Sequence, residues 1–189
     1  QPTISISSFT DIENNIPSSI FNEEMTIRTS PYYPSSNNDG IWVISASSNY
    51  NDRWAPYKVF NKSFDVDSGN GNGWLMAQRA ILPQYIEWKN TISKPIKVNS
   101  YSIMMAYDNN DWKHGFKKWK FEGSNDGSNW ELMHEMELQE SPDVKTVLKY
   151  NLNKTYEFTH FRITILDGRD DESWTGIDEV ETFYTGTSV

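Results

Sequence analysis

The chain has 189 residues and no cysteine, with 17 Lys and Arg against 26 Asp and Glu and a formal net charge of −9. Such an acidic surface repels phosphate backbones and anionic bilayers, which sets nucleic acid aside as a partner and membrane insertion aside as a habit. The lack of cysteine removes disulfides, thiolate nucleophiles and Cys-ligated zinc, and no stretch approaches the roughly 18 apolar residues of a membrane-spanning helix. The length suits one β-sandwich domain with a sizeable core. Aromatic residues make up 14% of the chain, with eight Trp and ten Tyr. That is more ring surface than a small core takes up, so some rings are expected outside, available for contact.

In chain order, residues 1–24 are rich in Ser, Thr, Asn and Ile without helical periodicity and read as an N-terminal linker or edge extension. The first residue reads as an interior cut from a longer precursor, because no charged-then-apolar signal segment opens the chain. Residues 25–189 read as the domain proper. Ser30–Gly40 is turn chemistry throughout. Short strand-like runs then alternate with turn clusters: Ile41–Ala46, Tyr85–Lys89, Val98–Tyr107, Trp119–Glu122, Trp130–Met133, Thr146–Asn151, Phe161–Leu166 and Val180–Tyr184. Val98–Tyr107 is apolar on both faces, as a central strand should be. Gly123-Ser124-Asn125-Asp126-Gly127 is a hairpin signal. Phe161, Ile163 and Ile165 share one face of their strand. No window supports an amphipathic helix longer than two turns, so the pattern predicts an all-β, antiparallel sandwich.

Four segments, in order, carry a resemblance. They are Ser45–Asn61 (SASSNYNDRWAPYKVFN), Gly73–Ala77 with Pro83–Trp88 (GWLMA, PQYIEW), Lys118–Trp130 (KWKFEGSNDGSNW), and Phe161–Ile165 with Ile177–Tyr184 (FRITI, IDEVETFY). Together they resemble the discoidin-like family, which includes the coagulation-factor type C domains and the family 32 carbohydrate-binding modules of phage tail fibres and bacterial surface proteins. The third segment is the most specific. The resemblance implies a jelly-roll β-sandwich of the galactose-binding-domain-like kind. It further implies a non-catalytic module that recognises a cell-surface glycan through loops at one end of the sandwich.

Three loops match those that form the sugar site in the resembled modules. They offer Arg53 and Trp54 from the first, Asn110, Asp111, Trp112 and His114 from the second, and Arg169 and Trp174 from the third, with Trp54 also readable as a plug of the core edge because Ala55-Pro56-Tyr57 turns straight into the barrel. The composition suits a polar ligand, since a sugar stacks its C–H face on an aromatic ring and its hydroxyls need in-plane donors and acceptors. Trp74, Trp88, Trp119 and Trp130 read as structural, and Arg162 as an internal ion-pair partner. The resemblance also implies a structural Ca²⁺ held by the Lys58 carbonyl, Asn61, Asp65, Asp67 and Glu179, with Asn61 standing where the family has Asp. The loop from Asn61 to Trp74 is long and carries Gly69, Gly71 and Gly73. Carbonyls and carboxylates on a turn are the hard oxygens that this ion takes.

Nothing in the sequence points to catalysis. His114, His134 and His160 are far apart, and no H-E-x-x-H, G-x-S-x-G, P-loop or G-x-G-x-x-G is present. The expected setting is extracellular, on a cell or virion surface, within a larger adhesion or receptor-binding protein that is multivalent through its oligomer. The competing expectation is a structural or protein–protein adhesion module of a virion or cell envelope.

Overall fold

The computed structural model of the chain describes residues 24–62, 73–92, 94–106, 115–140, 142–143, 145–168 and 175–187. Among them are ten strands: β1 (Glu24–Arg28), β2 (Trp42–Ala46), β3 (Trp74–Leu75), β4 (Gln84–Asn90), β5 (Ile96–Met105), β6 (Phe116–Ser124), β7 (Glu131–Glu137), β8 (Leu148–Phe158), β9 (His160–Gly168) and β10 (Gly176–Thr187). They form two antiparallel sheets. One runs β1-β10-β5-β8 with β3 added on β10, and the other runs β2-β4-β9-β6-β7. Each of the eight strand-like runs overlaps a strand of this sandwich, and β5 sits inside its sheet as expected of a strand apolar on both faces.

Two strands were not legible. β1 has Met25 and Ile27 exposed, so it shows no half-buried alternation, and it is a strand because its five residues pair with β10 from Glu24↔Thr187 to Arg28↔Phe183. β3 is two residues long and pairs Leu75 and Trp74 with Gly176 and Ile177. Two 3-10 turns, Asp52–Trp54 and Pro56–Phe60, also escaped the reading, being shorter than any periodic signal.

The core lies between the sheets and is largely aromatic. Phe161, Ile163 and Ile165 are fully buried from β9 and meet Trp88 of β4 and Phe121 of β6. The Trp88 ring lies parallel to Phe121 and Phe161, at centroid distances of 6.1 and 5.9 Å, and takes Phe60 edge-on at 5.3 Å. Such offset and edge contacts suit the ring quadrupoles. Trp119 Nε1 donates to Tyr101 Oη at 3.0 Å, and Tyr101 Oη lies 2.8 Å from His134 Nδ1. The buried indole and phenol are therefore satisfied in series. Arg162 pairs with Glu122 on the outer face of the other sheet, under the Trp130 ring.

The β6–β7 hairpin follows its sequence signal. Asp126 Oδ1 accepts from the backbone N–H groups of Ser128 and Asn129, at 2.8 and 2.7 Å, and Gly127 takes φ +73°. Those bonds favour the ionised carboxyl and hold it well below the usual carboxylate range. At Gly123 the reason for glycine is steric, since a Cβ there would stand inside the Phe158 ring. Gly123→Ala is expected to destabilise the domain by about 1–3 kcal/mol through overpacking, read as a lower urea midpoint at unchanged m. A midpoint equal to wild type would show that Phe158 moves freely aside.

Candidate functional site

One end of the sandwich gathers three chain segments. The first follows β2, where Asn51 Oδ1 accepts from Arg53 N at 2.9 Å and so closes the Asp52–Trp54 turn. Two bonds tie this segment to β3: Tyr50 N donates to Leu75 O at 2.9 Å, and Trp74 Nε1 to Ser48 O at 2.8 Å. The second segment leaves β5 at Ala106 and enters β6 at Phe116, and the third leaves β9 at Gly168 and enters β10 at Gly176. Their roots are joined. Ala106 N donates to Gly176 O at 3.1 Å, Met76 N to Thr175 O at 3.0 Å, and Phe116 pairs with Gly168. Residues distant in sequence thus spring from one rim, as loops of a β-sandwich do.

Arg53 is exposed at this rim. Its carbonyl accepts from Lys58 Nζ at 2.6 Å, and burial together with the Arg53 guanidinium pushes the Lys58 amine below its ordinary value. The neighbouring indole corrects an expectation. Trp54 is only 8% exposed and packs with Leu75 and Ala106. A ring so covered offers no open face to a sugar; it supports the roots of the rim instead. Asn110, Asp111, Trp112, His114, Arg169 and Trp174 lie outside the described residues. The sequence reading passed over Asn49, whose buried Oδ1 has no hydrogen-bond partner on this same segment; a lone amide in a polar loop gives no signal of that kind.

A second constellation sits where β10 is irregular. The β10–β5 register shifts between Ile177 and Glu179, so two consecutive acids, Asp178 and Glu179, are both held inside, at 0% and 1% exposure. Glu179 Oε2 accepts from Lys62 N at 3.0 Å, while its Oε1 stands 3.7 Å from Arg28 Nη2 and has no hydrogen-bond partner among the described residues. Among those residues neither Asp178 oxygen has a hydrogen-bond partner either. Gly73, at φ +145°, lies so close that an added Cβ would meet Asp178 Oδ1 at 2.7 Å. The loop that begins after Lys62 and ends at Gly73 therefore starts on one buried carboxylate and finishes on the other.

Burial above all pushes the Asp178 carboxyl up to about 8, with Lys145 opposing. It likewise pushes Glu179 up to about 9, with Arg28 opposing and Glu181 adding to it. Three orphaned carboxylate oxygens in the interior are costly unless a cation or a proton meets them.

The residues present fit a hard cation. Glu179 Oε1 accepts no hydrogen bond among the described residues, though Arg28 stands 3.7 Å away, and the Lys58 carbonyl, which already accepts from Asn61 N at 3.3 Å, has a second lone pair. Among the described residues no group of three or more His, Cys, Asp or Glu side chains is placed to hold a metal. Carbonyls and the loop would have to complete the shell; Asp65 and Asp67 of the expected set lie outside the described residues. Asp178 was not in that set, which followed the resemblance; strand alternation alone would turn it away from Glu179, and the bulge keeps both inside.

A model of the F5/8 type C domain matches residues 43–180. Comparison with curated proteins returns no match. Among solved structures, the chain is similar to the family 32 carbohydrate-binding module of NanJ from Clostridium perfringens in complex with galactose. That likeness has 18% identity and a TM-score of 0.60, covering 84% of this chain and all of that one (100%). It is also similar to a family 32 module, also from Clostridium perfringens, in complex with GalNAc-β-1,3-galactose, at 15% identity and TM-score 0.58, over 76% of this chain and 95% of that one. A chitosan-binding module of a Paenibacillus chitosanase/glucanase matches at 15% identity and TM-score 0.58, over 82% and 99%. At these identities the likeness is one of fold.

Proposed function

The chain belongs to the F5/8 type C domain family, and on that premise we propose that it is a non-catalytic carbohydrate-binding module that grips a cell-surface glycan at the rim of its sandwich. The observation that carries this reading is the joining of the three segments at their described ends: Tyr50 N to Leu75 O and Met76 N to Thr175 O for the first, Ala106 N to Gly176 O and Phe116 opposite Gly168 for the other two. Trp174 and Trp112 are the rings proposed to stack on the sugar. Arg53, Asn110, Asp111, His114 and Arg169 are the groups proposed to bond its hydroxyls. The likeness in fold to modules solved with galactose and with GalNAc-β-1,3-galactose supports the ligand class.

A shallow rim makes few bonds, so a single site is expected to bind with a Kd of about 0.1–1 mM, roughly −4 to −5.5 kcal/mol. Useful attachment at that affinity needs several copies, through the oligomer or the tandem arrangement of a parent adhesion protein on a cell or virion surface. No helix of the described residues is long and apolar enough to cross a membrane.

Calcium is the proposed resident ion. Lys58 through its carbonyl, Asn61, Asp65, Asp67 and Glu179 would hold it, with Asp178 beside them. When bound it supplies positive charge to the buried carboxylates and fastens the 63–72 loop to β10. The test of function is a glycan array followed by titration calorimetry on the hits. Arg53→Ala, a change at an exposed residue, is expected to weaken a hit by about 3–10-fold while leaving the melting midpoint in place. An array without hits, with the rim found instead against a neighbouring subunit, would favour the structural-module reading.

A further inference from the structure

The outer face of the β1-β10-β5-β8 sheet carries a polar trough separate from the rim. Val180 of β10 and Tyr101 and Ile103 of β5 point into the core. Alternation along a strand then turns Glu181, Phe183, Ser100 and Ser102 outward. Cross-strand pairing continues that face on both sides, with Ser100 opposite both Phe183 and Asn151, Ser102 opposite both Glu181 and Lys149, and Thr26 opposite Thr185. Two adjoining hollows of about 310 and 360 Å³ share Ser100, Asn151 and Thr185. The second lies where the β5–β8 register jumps from Val98↔Tyr156 to Ser100↔Asn151, which leaves residues 152–155 opposite Asn99 alone. Asn99 is spent in the wall, its Nδ2 donating to Thr185 O at 2.7 Å and its Oδ1 accepting from Thr185 N at 3.0 Å. Glu181 and Thr185 lie five and nine residues along β10 from Gly176, which at about 3.3 Å per residue is roughly 15–30 Å from the rim.

The polar groups of this trough divide into two sets. Arg28 is bonded to Glu181 and the Thr26 hydroxyl to that of Thr185 at 2.8 Å, so these hold one another and fix the shape. The side chains of Ser100, Lys149 and Asn151 have no such partner among the described residues, and Lys149 stands outside the ion pairs that engage Lys97, Lys117, Lys118 and Lys154. Between the sets lies Phe183, half-buried on the floor. A half-buried ring flanked by an unengaged hydroxyl, amide and ammonium is complementary to a pyranose, with its C–H face on the ring and its oxygens on the donors.

We propose that this trough is a second saccharide-binding site, in which Phe183 is the platform, Ser100 and Asn151 bond hydroxyls, and Lys149 takes an acidic oxygen, which favours a carboxylated sugar. The proposal shares the saccharide-binding reading of the chain but uses none of the rim residues. The two are separated by affinity electrophoresis of the whole chain through gels containing galactan or polygalacturonate, with wild type, Trp174→Ala, and the double variant Lys149→Ala/Asn151→Ala. Both positions of the double variant lie at the surface, and an unchanged urea midpoint certifies its fold.

The expected result is that the double variant raises the apparent dissociation constant at least 5-fold for polygalacturonate and less for galactan. Retardation lost in the double variant but unmoved by Trp174→Ala sustains the trough and removes the rim. Unaltered retardation of the double variant, retardation abolished by Trp174→Ala alone, or a wild-type chain slowed by neither polymer overturns the trough.

Discussion

Chelating divalent cations with EDTA at pH 8 is expected to lower the thermal midpoint by roughly 8–16 °C, and added calcium to restore it. The size follows from linkage: a site saturated about a thousandfold above its Kd contributes about 4 kcal/mol, and a domain of this length shifts about 2–4 °C per kcal/mol. The cause is the pair of interior carboxyls at the β10 bulge, pushed up to about 8 for Asp178 and about 9 for Glu179 by burial.

Their pH dependence has a definite sign. In the unfolded chain both groups titrate near 4, so between about pH 4 and 9 the metal-free folded state holds more protons than the unfolded one. Stability in EDTA is therefore fullest below about pH 4 as far as these groups decide it, and it is lost as pH rises through 8 and 9. Calcium takes the deprotonated carboxylates, so its binding tightens across the same window and the protection it confers grows with pH. Glu179→Gln, which keeps the shape and removes the charge, is expected to abolish the calcium response and to melt above wild type in EDTA at pH 8. Scanning calorimetry at pH 5, 7 and 9 with calcium or EDTA measures all of this. Superimposable midpoints at pH 8 would rule the metal out.

Trp174→Ala is expected to weaken glycan binding at the rim by at least 10-fold, with a melting midpoint within a few degrees of wild type. The segment that carries Trp174 is rooted at Gly168 and Thr175, and those roots are tied to Phe116 and Met76. With Trp54 covered by Leu75 and Ala106, Trp112 and Trp174 are the two rings left to the proposal. Losing a stacked aromatic from a shallow site removes a contact of about 1–3 kcal/mol, as much as such a site can lose while still binding. Titration calorimetry with an array hit decides it. Undiminished binding by the variant would move the platform to Trp112 or off the rim altogether.

Much of the fold was legible because burial imposes a period. β9 shows it most clearly: Phe161, Ile163 and Ile165 alternate in the sequence and are all fully buried in the structure. The β6–β7 turn was legible because Asp126 and Gly127 satisfy local backbone demands whatever surrounds them. β1 left no such trace, because an edge strand with Met25 and Ile27 exposed owes its conformation to β10 and not to its own pattern. Of the candidate site, the residue types were readable and the Glu179 position was named. Trp54, however, was readable either as a rim contact or as a plug of the core edge, and the packing on Ala106 that decides between them lies 52 positions away.

The sequence by itself determined the class of fold, the hairpin, the aromatic core and the acidic, cysteine-free surface, since each follows from local chemistry or from a two-residue repeat. The tertiary structure alone decided two things: that Asp178 joins Glu179 inside, and that Ser100, Asn151 and Phe183 line one trough. Both depend on where strands slip against one another. Register shifts in β10 and β8 move side chains from one face to the other, and a shift is set by how strands meet across the sheet, which no stretch of either strand encodes alone.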